Sequence, residues 1–397
     1  MKVCVVGIGA MGGGIARALL KSNDIESVVG YDVSEQLMND FYEEAKSVSK
    51  HVGESIPNNL KDALDDVDVC MLVLVNEEQC QQVCSSILDL DNKCHYSGRT
   101  IILCSTVRAS WVRQTASLLE QRGIQFVDCP ISGGPIRALA GQLSIMASSN
   151  HDAVLEQCQP LFQAIASSNS IHIIPGGCGM GSTAKMVHQL LAGVHIAVTA
   201  EAIHLANKTG LNPNQLYHIV NTAAGQSWMF TDRGSRMLPL TDNHNNDPQQ
   251  QVKSALNLFV KDLNIVQSES QTCASPIPIA TAALQQFLIG KSLGLGKLDD
   301  SQIYKVYQQQ SQSQPTVQKD NTWLLPSGEQ EQIVDVGDEA RHEVVISNDY
   351  TRIMKISFPP GDTTTAHRYV PNLLFMITYT CNCIEYGIIH YLLVHFV

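Results

Sequence analysis

Positive charge is scarce in this chain. Lys and Arg together number 26 against 38 Asp and Glu, a formal net charge of −12, whereas a surface that displaces counterions from nucleic-acid phosphates needs the opposite balance. The composition therefore speaks for a small-molecule partner and for no nucleic acid. Long apolar runs are missing too. The first, residues 3–6, is too short for a signal peptide and leads straight into a glycine turn, so no targeting segment is expected. Residues 370–397 are apolar but interrupted by Asn382, Glu385, His390 and His395, which argues against a membrane partner. A disulfide framework is the third absence: the 12 cysteines are irregularly spaced and follow no secretory signal, which fits reduced thiols in the cytoplasm. Cys381 and Cys383 stand too close together for a metal knuckle, and no internal repeat is found.

At 397 residues, with 44% apolar and 16% charged side chains, the chain has the make-up of a globular protein of more than one domain. Residues 2–6, 27–31, 67–75, 100–104 and 125–128 are rich in β-branched residues, apolar nearly throughout, and separated by helical stretches. That pattern predicts a parallel sheet buried on both faces. Past residue 174 the period becomes helical. Met186, Leu190, Val194, Ile196, Ala200 and Ile203 mark one long helix over 182–208, with Gly210 just beyond it. Asn212-Pro213 supplies a cap and a first-turn proline for the next helix, and 254–268, 276–291 and 301–308 continue as helices. Residues 308–320 turn to Gln, Ser and Pro, as a linker does. Residues 343–346 and 352–358 read as strands joined through Asn348-Asp349. The expected fold class is α/β: a doubly wound Rossmann sheet over 1–175, a helical domain over 176–310, a linker over 311–330 and a short β segment over 331–397.

Gly7-Ile8-Gly9-Ala10-Met11-Gly12 follows the first strand and opens a helix, the context that a dinucleotide-binding loop requires. Gly7 permits the tight turn, Gly9 lets backbone amides approach a pyrophosphate, and Gly12 allows close helix–strand packing. Asp32 lies 20 residues further on, where a carboxylate accepts from ribose hydroxyls and repels a 2′-phosphate. With Val33 beside it rather than Arg, NAD is expected over NADP.

Four further blocks carry a resemblance. Cys104-Ser105-Thr106, the run Asp128-Cys129-Pro130-Ile131-Ser132-Gly133-Gly134, the run Gly177-Cys178-Gly179-Met180-Gly181-Ser182-Thr183-Ala184-Lys185, and Phe259-Val260-Lys261-Asp262-Leu263 stand in the order found in β-hydroxyacid dehydrogenases. Over residues 1 to about 310 the chain resembles that family, and the runs Lys185-Met186-Val187-His188-Gln189-Leu190-Leu191-Ala192-Gly193 and Ala224-Gly225-Gln226-Ser227-Trp228-Met229-Phe230 resemble most of all its threonate dehydrogenase branch. The resemblance implies an NAD-dependent dehydrogenase of a small hydroxy acid that forms a homodimer or homotetramer. It implies Lys185 as the base that takes the hydroxyl proton, a role for which burial beside a cationic nicotinamide would suit it. It further implies that Ser132, Gly133 and Gly134 hold the substrate carboxylate, and that Leu74, Val75, Thr106 and Lys261 contact the dinucleotide. Many members have two asparagines where this chain has His188-Gln189, and that pair would bind the additional hydroxyls of a sugar acid. The polar insert 242–251 departs from the branch.

Phe358-Pro359-Pro360-Gly361 and His367-Arg368-Tyr369 resemble the first motif of a cupin, with tyrosine in place of its second histidine, so a truncated segment without metal is expected. Three other readings are a 3-hydroxyisobutyrate-type dehydrogenase, a noncatalytic dinucleotide-binding protein of the same fold, against which Lys185 argues, and a cupin-type binding module, against which the missing ligands argue.

Overall fold

The computed structural model describes residues 1–48, 52, 56–90, 96–241 and 252–312, and past these the strands at 316–317, 322–324, 330–332, 342–347, 351–357, 374–376 and 389–395. The chain divides into two compact units, Met1–Gln309 and Gln310–Val397.

The first unit begins with alternating strands and helices: β1 (Lys2–Val6), α1 (Ala10–Leu19), β2 (Ser27–Tyr31), α2 (Glu35–Val48), α3 (Leu60–Leu64), β3 (Val69–Leu72), α4 (Glu77–Leu90), β4 (Thr100–Leu103), α5 (Ala109–Glu120) and β5 (Gln125–Asp128). The five strands form one parallel sheet in the order β2-β1-β3-β4-β5. Successive side chains on a strand point to opposite faces, and each strand feeds two cores. Val3 and Val5, Val69 and Met71, and Ile102 pack with α1 and α2. Cys4 and Val6, Cys70 and Leu72, and Ile101 and Leu103 pack with α4 and α5 on the other side. This is why the strands read as unbroken apolar runs. The run expected over 67–75 is a strand only from Val69 to Leu72, because past Leu72 the chain leaves the sheet and Leu74 N–H turns to the Ser105 hydroxyl at 2.8 Å.

A second, three-stranded sheet follows, absent from the sequence reading. It holds β6 (Ile131–Ser132), β7 (Leu143–Ala147) and β8 (Ala166–Ile173), with α6 (Gly134–Leu139), α7 (Asp152–Gln157) and α8 (Gln159–Ile165) between them. β6 is two residues long and β8 is largely polar, so neither gives a periodic apolar signal. A bridge between Asp128 and Ser148 joins this sheet to the end of β5.

The rest of the unit is helical: α9 (Met180–Lys208), α10 (Pro213–Asn221), α11 (Trp228–Met237), α12 (Leu256–Thr272), α13 (Pro278–Ser292) and α14 (Tyr304–Gln312). Asn212 caps α10, its side chain accepting from Asn214 N at 2.9 Å and Gln215 N at 3.4 Å. Helix α9 forms the axis, burying Ala192, Ile196, Ala200 and Ile203 against α12 and α13. It is long and apolar enough to cross a membrane by length and composition alone, but Ala192, Ile196, Ala197, Ala200 and Ile203 are buried in this core. A Cβ on Gly193 would lie 2.9–3.1 Å from the Leu263 side chain, so glycine there lets α12 approach α9. A buried ion-pair group, Arg233 with Asp300 and Arg236 with Asp299, fixes α11 to the turn before α14.

The second unit contains β9 (Thr316–Val317), β10 (Thr322–Leu324) and β11 (Gln330–Gln332) in one antiparallel sheet. A second antiparallel sheet runs β12-β13-β15-β14, built from β12 (His342–Ser347), β13 (Thr351–Ser357), β14 (Leu374–Met376) and β15 (Ile389–His395). The stretch read as a linker thus holds short strands, and β14 and β15 occupy the apolar stretch past residue 370. The cupin-like motif residues at 358–361 and 367–369, the Asn348-Asp349 turn, Cys381, Cys383 and the insert 242–251 lie outside the described residues.

Candidate active site

The first part of the site is backbone. Gly7 leaves β1 with φ 89° and donates its N–H to the Tyr31 carbonyl at 2.8 Å. A Cβ on Gly12 would lie 1.8 Å from the Gly7 carbonyl oxygen, whereas one on Gly9 would meet nothing within 4 Å. The loop is therefore closed beneath Gly12 and open above Gly9. At Gly9 the N-terminus of α1 has no side-chain cap, and its free amides and dipole are suited to an anion. Ile8 is buried, Ala10 is exposed, and Met11 is half-buried and packs against the core. Asp32, at the end of β2, accepts from Ile8 N and Ser34 N, both at 3.0 Å. The open cradle and this acidic partner fit a dinucleotide: the pyrophosphate over Gly9 and the adenosine ribose at Asp32. Leu74 lies against the loop, its Cδ2 2.9 Å from where a Gly7 Cβ would stand, and Val75 is exposed beside it.

The second part is the N-terminal half of α9. Gly179 caps this helix with φ 92°, a left-handed conformation that disfavours other residues. A Cβ on Gly181 would lie 2.3 Å from the Met146 carbonyl oxygen and 2.8 Å from that of Asp128, so the helix begins directly against both sheets. The Asp128 carboxylate holds it there. It accepts from Gly179 N at 3.1 Å, from Ser182 N at 2.7 Å, from the Ser182 hydroxyl at 2.7 Å and from the Ser148 hydroxyl at 3.4 Å. Burial pushes this carboxyl up to about 6, against the pull of these donors. The capping role of Asp128 and Ser182 was missed in the sequence, although both lie inside the motifs quoted above.

Lys185 stands one turn into α9, only 5% exposed. Among the described residues its ammonium makes no hydrogen bond and no ion pair. Burial pushes it down to about 8, with Lys261 adding to the shift and the Asp262 carboxylate opposing it. From α12, Lys261 donates to the Thr106 carbonyl at 2.7 Å and pairs with Asp262 at 2.8 Å. Asp262 accepts from the Gln189 amide, and Gln189 Oε1 lies 3.0 Å from His188 Nδ1. His188 is half-buried and its pKa is lowered, first by burial and then by Lys185. Thr106, Lys185, His188, Gln189 and Lys261 are thus brought into one cluster, with Asp262, unassigned in the sequence reading, at its hub. Gln189 is buried, and its amide is engaged at both ends.

Ser132, Gly133 and Gly134 form a half-buried turn, with φ 139° at Gly133 and 75° at Gly134, and a Cβ on Gly134 would point into open space. Asp128, four residues upstream of Ser132, anchors the start of the helix that carries Lys185, but among the described residues no hydrogen bond or ion pair joins the turn itself to the cluster. Among the described residues no group of three or more His, Cys, Asp and Glu could hold a metal ion.

Residues 2–177 match the family described as the NAD binding domain of 6-phosphogluconate dehydrogenase, and residues 179–307 match NAD-binding of NADP-dependent 3-hydroxyisobutyrate dehydrogenase. An L-threonate dehydrogenase of Escherichia coli is 32% identical over 306 residues, 77% of this chain and 94% of that protein. A 2-(hydroxymethyl)glutarate dehydrogenase of Eubacterium barkeri is 29% identical over 309 residues, 78% of this chain and 95% of that one. The crystal structure of a 3-hydroxyisobutyrate dehydrogenase from Salmonella typhimurium superposes with a TM-score of 0.64 at 32% identity, covering 77% of this chain and 99% of that chain. Two matched domains in sequence, and a relative aligned over nearly its whole length, show that this chain belongs to the β-hydroxyacid dehydrogenase family and is an NAD(P)-dependent oxidoreductase of hydroxy acids.

Proposed function

We propose that the chain oxidises a secondary hydroxyl of a small sugar acid such as L-threonate, with Lys185 as general base. The observation that carries this reading is a lysine buried to 5% exposure with no ion-pair partner among the described residues. Such an amine is costly to a fold and is found where its neutral form has work to do. Bound NAD supplies the hydride acceptor. Lys185 Nζ, held down to about 8, takes the hydroxyl proton as the carbonyl forms. The Ser132 hydroxyl and the amides of Gly133 and Gly134 orient the substrate carboxylate. The loop from Gly7 to Gly12 holds the pyrophosphate, while Leu74, Val75, Thr106 and Lys261 hold the nicotinamide half. Asp32 favours NAD over NADP because its carboxylate repels a 2′-phosphate, and exposed Val33 beside it offers that phosphate no cation.

In this reading residues 1–175 bind the cofactor, and residues 176–310 supply the base and join copies into a cytoplasmic homodimer or homotetramer. The name of the Escherichia coli relative, L-threonate dehydrogenase, supports the choice of acid. His188 supports it too, as a polar group one turn from the base where a further hydroxyl would lie. The test is NADH formation by the full chain on L-threonate, D-erythronate, glycerate and 3-hydroxyisobutyrate. Turnover greatest on a tetronic acid is expected. Silence on all four with intact NAD binding would favour a noncatalytic dinucleotide-binding protein.

A further inference from the structure

The contacts around His188 form a chain with a direction. Lys261 pairs with Asp262 at 2.8 Å, and Asp262 Oδ2 accepts from Gln189 Nε2. A carboxylate beside a lysine offers only acceptor oxygens, so the donor end of the Gln189 amide must face it. The amide oxygen is thereby turned to His188 Nδ1, 3.0 Å away. That oxygen cannot donate, so the ring must: Nδ1 carries the proton and Nε2 keeps its lone pair. Among the described residues Nε2 has no hydrogen-bond partner.

We infer that Lys261, Asp262 and Gln189 form a relay that fixes His188 as its Nδ1–H tautomer and presents Nε2 as an acceptor to a donor group of the substrate. Gln189 is then a positioning residue, not the direct ligand that the sequence suggested. The inference rests on the reading of this end of α9 as the substrate side. Burial and then the Lys185 ammonium lower the His188 pKa and so favour its neutral form, with the Gln189 hydrogen bond and the Asp262 carboxylate opposing them. The substrate class narrows accordingly. An acid with a hydroxyl beside the reacting carbon satisfies Nε2, whereas a methyl there leaves it desolvated and unpaired. The close approach of α12 to α9 at Gly193 keeps Asp262 within reach of Gln189.

The tautomer is read directly by long-range ¹H–¹⁵N NMR on the full chain with ¹⁵N-labelled histidine and bound NAD, the His188 signals being assigned by their loss in His188→Gln. The wild type is expected to show a protonated Nδ1 and an unprotonated Nε2. Gln189→Met and Asp262→Asn are expected to give a mixture of tautomers. Gln189→Met should raise KM for L-threonate about tenfold more than for 3-hydroxyisobutyrate, the value of one hydrogen bond, with a smaller change in kcat. An Nε2–H tautomer in the wild type, an unchanged tautomer in both variants, or equal KM changes for the two acids would overturn the relay. The spectrum is informative even if no acid is turned over, so failure of the relay and failure of the proposed activity are separable.

Discussion

The two halves of the site are built from different materials. The cofactor cradle is backbone: Gly7, Gly9 and Gly12 contribute space and amides, and the main side-chain partner, Asp32, folds back onto Ile8 N. The proposed substrate side consists of side chains held by other side chains, with Lys185, unpaired among the described residues, beside the hydrogen-bonded group of His188, Gln189, Asp262 and Lys261. A backbone site needs particular residues at consecutive positions, because conformation and close approach are local properties. A side-chain site draws on any segment that the fold brings near. Here those segments are residue 106, residues 185–189 and residues 261–262.

That contrast can be broken by substitution. Lys185→Ala should lower kcat by about 10²–10⁴, the range for loss of a general base, while NAD affinity in fluorescence titration stays near wild type. A matching loss of NAD binding would show that the halves are not separable. Gly12→Ala should do the opposite. A methyl cannot stand 1.8 Å from the Gly7 carbonyl oxygen, so the loop must open and NAD Kd should rise about 100-fold, or about 3 kcal/mol. Unchanged affinity would sink the description of the cradle. Asp128→Ala lies at the junction. It strips the acceptor from two amides and two hydroxyls at the start of α9, and thermal unfolding should report about 2–4 kcal/mol lost. Asp128→Asn, which keeps one acceptor oxygen, should lose less.

The same contrast explains what could be read from the amino acids alone. The framework of the proposed cradle was legible: β1 and β2 coincide with the apolar runs at 2–6 and 27–31, and the glycines and Asp32 form a local pattern. Helix α9 was legible from its period to within two residues at its start. The strand past Leu72 was overextended, because an apolar run does not record where a chain leaves its sheet. The second sheet was missed because β6 is too short and β8 too polar to show a period. Asp262 was noted only as a neighbour of Lys261, since its bond to Gln189 spans 73 residues. Lys185 was singled out through the resemblance, not the periodicity: on its own, a lysine early in a helix reads as solvated, and only packing shows it buried.

The central claim is that Lys185 acts as a base from a depressed pKa, and the pH dependence of kcat/KM for the full chain on its best acid tests it most directly. Below about 8 the ammonium is protonated and cannot accept the hydroxyl proton. The rate constant should therefore climb about tenfold per pH unit up to that point and level off above it, and Lys185→Ala should abolish the limb. A profile flat from pH 6 to 9, or a limb that survives in Lys185→Ala, would contradict the account.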